Sequence, residues 1–171
     1  GRKPRVGALD GSVIATSLQH AISTAQITVA DIWDVRRTIE QRTAALAAES
    51  RTDVQADEIV ALAEAMATDK DDLARRTQHD IAFHNAIAQA SHNVLFIQIV
   101  ASFAPLMEVA VPTAWRTRVA KSQQEVMIDR HRAVAEAIRA RDPKAAARAM
   151  ALHFDDAIGD LLKAEASNGA D

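Results

Sequence analysis

Apolar residues recur along this chain at three- and four-residue spacing almost from end to end, and segments alternating apolar with polar residues, as half-buried strands do, are absent. That period predicts helices. A short one starts near Ser12, where Asp10 and Ser12 offer N-caps, and carries Val13, Ile14, Leu18, Ala21 and Ile22 on one side. Thr28 with Asp31 reads as a capping box that opens a long helix to about Ser50. Its stripe is Ile32, Val35, Ile39, Thr43 and Leu46, flanked by Arg36 and Arg42. A third helix fits about Val54 to Ala67 through Ile59, Leu62 and Met66, and the polar run TDKDD separates it from a fourth ending at Ser91. The apolar run Val94 to Val111 predicts a buried helix kinked near Pro105 and closed by Pro112, with a loop over Thr113 to Lys121. Ser122 with Glu125 suggests a second capping box for a helix to about Ala140, and Asp142-Pro143 opens a last helix to about Lys163. The expected fold is all-α, an antiparallel bundle of six or seven helices.

Chemistry enters where polar residues interrupt the apolar stripes. Asp80 and His84 lie one turn apart on the stripe that runs on through Ile81, Ala88 and Leu95, a spacing that suits a hydrogen-bonded pair or two ligands of one divalent ion. His131 takes a core position among Met127, Val134 and Ile138, and His153 does so among Ala146, Met150, Ala157 and Leu161. Each is 11 residues from Asp142, so a helical hairpin turning there brings both to one height, roughly 16 Å from the turn at ~1.5 Å per residue. Burying four unpaired polar groups would be costly, so the quartet is read as an N3O set for one divalent ion, with Zn, Ni, Fe(II) or Mn suited to it. Arg36 beside an inward stripe fits a carboxylate in two-pronged fashion, or pairs with Glu40 one turn on; spacing leaves both open. His20, His79 and His92 share no metal-facing stripe.

Composition narrows the function classes. The 171 residues, 49% hydrophobic and 25% charged, are enough for one domain with a substantial core. A net charge of −3 argues against this chain gripping nucleic acid by bulk electrostatics, and the lack of cysteine removes disulfides, thiolate metal sites and cysteine nucleophiles together. No secretory signal or membrane span is expected, which fits a cytoplasmic protein. HExxH and ExxH are both absent, so a metal-dependent hydrolase or lyase built on a helical bundle is the second reading.

The segments DIWDVRRTIE, DIAFH, SHNVLF, DRHRAVAEAI and RDPKAAARAMALH, in that order, resemble the FCD ligand-sensing domain of the FadR subfamily of GntR-type bacterial transcription regulators, over about Thr28 to Leu162. The resemblance implies a homodimeric sensor that binds a small carboxylate effector, a hydroxycarboxylate or sugar acid, and controls an N-terminal winged helix-turn-helix reading operator DNA. In the metal-containing branch the ligands match Asp80, His84, His131 and His153, with zinc the leading ion, and the arginine that holds the effector matches Arg36. Asn93 of SHNVLF and Trp115 are the further residues expected at the ligand. Arg130 stands where the family often has glutamate. The expected organisation is a basic lead-in over 1–10 resembling the end of a missing winged-helix domain, a sensor over 11–165, and a disordered tail over 166–171.

Overall fold

The computed structural model describes residues 11–168 apart from 70 and 119, with the backbone alone for 160–168. The basic lead-in, Asp10 as an N-cap, the Leu161 side chain and the end of the expected tail lie outside the described residues. Eight helices follow: α1 (Ser12–Ser23), α2 (Val29–Ser50), α3 (Asp53–Thr68), α4 (Leu73–Ala90), α5 (Val94–Ser102), α6 (Ala104–Thr117), α7 (Lys121–Arg139) and α8 (Pro143–Asn168). No strand occurs among the described residues. α2 packs on α8, α8 on α7, α7 on α3, α3 on α4 and α4 on α2, which closes a ring; α6 covers α4 and α8, and α1 leans on α5 and α6.

Local chemistry sets most of the ends. Thr28 and Asp31 form the expected capping box, and Thr52 with Gln55 forms another at the start of α3. Asp72 caps α4 through the Arg75 amide. α7 begins one residue before the expected cap: the Gln123 side chain, not Glu125, returns to accept the Ala120 amide. The run 94–111 is not one helix. It breaks at Phe103 into α5 and α6, bent by 54°, because Pro105, lacking an amide proton, is tolerated in the first turn of a new helix where that proton needs no intrahelical partner. Pro112 does not close α6, which continues through it to Thr117, so most of the expected loop is helical. Among the described residues no single helix is long and apolar enough to cross a membrane.

The stripes of α4, α7 and α8 face the core largely as the periodicity predicts. Two exceptions matter. Leu95 opens α5 and is 57% exposed. In α2 the inward face is rotated: Val35 is 48% exposed, whereas Arg36 and Glu40 are buried with Ile32, Trp33 and Thr43. α1 buries no residue fully, and only Leu18 and Ile22 of its predicted face pack on the core.

Gly11, at the entrance to α1, meets α5 so closely that an added Cβ would lie 2.5 Å from the Gln98 carbonyl oxygen. Gly11→Ala is therefore expected to cost about 1–3 kcal/mol, the usual toll of overpacking. Urea denaturation at fixed pH measures it, and an unchanged midpoint would show that the junction yields.

Candidate metal and effector site

The α7–α8 hairpin fixes the first two site residues. Arg141 adopts a left-handed φ of 55°. The amides of Arg141 and Asp142 then donate to the carbonyls of Ile138 and Ala137, both at 3.1 Å, closing α7. Asp142 Oδ1 accepts the Ala145 amide at 2.8 Å and opens α8. The tight turn brings the His131 and His153 rings to 4.4 Å between centroids. α4 contributes His84, 5.2 Å from His153 and 6.2 Å from His131. One donor nitrogen from each of the three lies within 4.8 Å of the others, and all three side chains are buried.

Proton assignments follow from the partners. His131 Nδ1 lies 2.8 Å from the Met127 carbonyl, which can only accept, so Nδ1 carries a proton. His131 Nε2 then faces Asp80 Oδ1 at 3.1 Å, and these two atoms present lone pairs to each other unless a cation, proton or metal, lies between them. Burial works to raise the Asp80 carboxyl, but the hydrogen bond from His131 and the positive fields of His84, His131 and Arg36 prevail and hold it at about 2. His84 Nδ1 donates to Glu40 Oε2, which leaves Nε2 as its lone-pair nitrogen. His153 is pushed well below its ordinary range, first by burial and then by His131, His84, Arg36 and Arg118. It is a neutral imidazole whose buried Nδ1 has no hydrogen-bond partner. Three imidazoles beside an ionised carboxylate offer the nitrogen and oxygen donors that a borderline divalent ion takes, so the residues fit the group.

Arg36 lines the same cavity as Asp80, His84, Trp115 and His153. Its Nε donates to Glu40 Oε1 at 2.7 Å, and its Nη1 is turned to the Met107 sulfur. Of the two alternatives open for Arg36, the pairing with Glu40 is present, and the side chain also lines the cavity. Glu40, named in sequence only as a partner for Arg36, also fixes the His84 tautomer with its second oxygen. Burial opposes the Glu40 charge, but Arg36 and His84 together keep its carboxyl below the ordinary value. Trp33, not anticipated, lines the cavity with a buried Nε1 that finds no acceptor. Asn93 is not brought to the cavity; its carboxamide caps α5 through the amides of Leu95 and Phe96. Arg130 makes a surface ion pair with Asp156 at 2.7 Å, away from the cluster. His79 pairs with Asp69, His92 with Gln55, and His20 is exposed.

Fold and site define an all-α domain that brings three buried histidines, an aspartate and a buried arginine together in its core. Residues 31–156 match the FCD domain, and the chain belongs to that family, found in GntR-type regulators. The Glc operon transcriptional activator of Escherichia coli (strain K12) is 35% identical over 161 residues, covering 90% of this chain and 63% of that protein. A protein described as the regulator of the L-lactate dehydrogenase operon in the same strain is 33% identical over 125 residues, 72% of this chain and 48% of that protein. The chain thus spans about 48% to 63% of the length of these relatives. The solved structure of Streptococcus agalactiae GntR shares the fold, with a TM-score of 0.63 at 22% identity over 74% of this chain and 56% of that one. The curated relatives are transcription regulators, not enzymes.

Proposed function

We propose that the chain is the effector-binding and dimerisation domain of a cytoplasmic transcription regulator. Asp80, His84, His131 and His153 would hold one divalent ion, with zinc best matched to the donors, and a hydroxycarboxylate or sugar acid would bind between that ion and Arg36. Binding would alter how a preceding winged helix-turn-helix grips operator DNA. The observation that carries this reading is the approach of His131 Nε2 to Asp80 Oδ1 at 3.1 Å, a gap a cation can fill, beside a cluster of three buried histidines. A bound ion supplies Lewis-acid positions for carboxylate and hydroxyl oxygens. Arg36 supplies charge and direction: a thioether sulfur is a weak acceptor, so an effector's carboxylate oxygen is a better partner for Nη1 than Met107. Trp33 Nε1 offers another donor in the cavity. One relative is described as regulating a lactate dehydrogenase operon, and lactate is a hydroxycarboxylate. The hydrolase or lyase reading lacks a spare base, since Glu40 is held by Arg36 and His84, and Asp80 by His131.

Native mass spectrometry with elemental analysis of the chain, purified without chelator, tests all parts together. The expected species is a dimer with one divalent ion per protomer, in which added hydroxy acid binds and neutral sugar does not. A metal-free chain that takes up no zinc, nickel or manganese overturns the site; a strict monomer at tens of micromolar, as a rough working range, overturns the dimer.

A further inference from the structure

Arg76, on α4 one turn before Asp80, is a buried guanidinium whose Nε and Nη1 have no hydrogen-bond partner. It stacks on Trp115, with Cζ 3.9 Å from the ring centroid, and Arg118 sits on the same indole at 4.7 Å. Trp115 and Arg118 line the cavity together with Arg36, Asp80, His84 and His153. Burial and the neighbouring Arg118 charge both work against the Arg76 cation, and Asp71 favours it without prevailing; among the described residues no ion pair with Arg76 is found. The contrast with Arg36 is sharp, because Arg36 has Glu40. Stacking on an indole rewards a cation, but it leaves the in-plane N–H groups of the guanidinium unanswered, and buried donors without acceptors are costly. An anion meeting those edges would remove that cost and the repulsion between the two arginines at once.

We propose that Arg76 and Arg118, mounted on Trp115, form a second anion subsite, so that the effector is a 2-hydroxy acid bearing a second anionic group, carboxylate or phosphate, at its far end. This rests on the reading above, in which Arg36 and the metal take the first carboxylate. The charges agree: Glu40 answers Arg36 and Asp80 offsets part of the ion's charge, so the ion and Arg76 present more positive charge than a monoanion neutralises.

Calorimetric titration of the zinc-loaded chain with lactate, malate, 2-hydroxyglutarate and 3-phosphoglycerate, which share the 2-hydroxy acid head, tests it. At least one of the three probes that carry a second anionic group should bind about tenfold or more tighter than lactate, and Arg76→Gln should bring that ratio close to one. If Arg76→Gln does not fold, as judged by its melting transition, Arg118→Gln is read in the same way. Preference for carboxylate or phosphate among the three tells which second group the subsite takes. Equal binding of all four acids by the wild-type chain overturns the subsite while leaving the effector reading intact, as does a preference that survives in the variant. Failure of all four to bind the zinc-loaded chain overturns both.

Discussion

His131→Ala is expected to yield a chain without its divalent ion, melting about 5–10 °C below the metal-loaded wild type. The size follows from linkage. An ion present at about 100 times its dissociation constant stabilises the fold by about 2.7 kcal/mol, and each kcal/mol moves the transition of a chain this long by roughly 2–4 °C. His131 is the member of the cluster whose loss reaches furthest. It touches the His153 ring, holds Asp80 through Nε2 and is itself anchored on the Met127 carbonyl, at 1% exposure. Its removal leaves Asp80 as a buried carboxylate without that hydrogen bond, so the variant should also melt below chelator-treated wild type. Elemental analysis and scanning calorimetry on both proteins, with and without chelator, separate the two losses. His20→Ala, at an exposed position on α1, should change neither. A variant that keeps a full complement of metal would remove His131 from the ligand set.

Arg36→Ala is expected to weaken binding of a hydroxy acid by roughly 2–5 kcal/mol, the cost of truncating one partner of a buried charged pair. It should also destabilise the fold by about 3–5 kcal/mol, because Glu40, 1% exposed, is left as a buried carboxylate with only His84 to answer it. Metal content should persist, since the contact of Glu40 with His84 Nδ1 does not pass through Arg36. Calorimetric titration with lactate and malate reads the first effect, and urea denaturation of the metal-free proteins reads the second. Equal affinity in variant and wild type would take Arg36 out of the site. Unchanged stability would show that Glu40 is not carried as an anion in the core.

The residues that sequence brought together owe it to local rules. Helices declare themselves through period and caps, and Asp142-Pro143 marks a turn sharply enough that two histidines 11 residues to either side are placed at one level; the 4.4 Å between their rings is the result. Asp80 and His84 share a face of α4 because they are one turn apart, and a face buried by its apolar neighbours takes its polar members inside with it. Elements whose state depends on something distant were not legible. A proline after an apolar run reads as an end, yet α6 passes through Pro112, while Pro105 reads as a kink and instead belongs to the first turn of a new helix. In α2, periodicity weighs residues by polarity and therefore turned Val35 inward and set Arg36 to the flank. The fold does the reverse, because Arg36 and Glu40 are neutralised by each other and by His84 from another helix, and a paired charge can be buried where a lone one cannot. Arg76 is the same lesson with the partner missing: only tertiary packing seats it on Trp115, and only that packing exposes the lack of an acceptor. Sequence alone determined most of the helices, α5 and α6 apart, and which histidines share a level, because backbone hydrogen bonding and apolar burial act over a few residues. Tertiary structure decided which charges are inside, because desolvating a charge is offset only by groups that the chain brings from elsewhere.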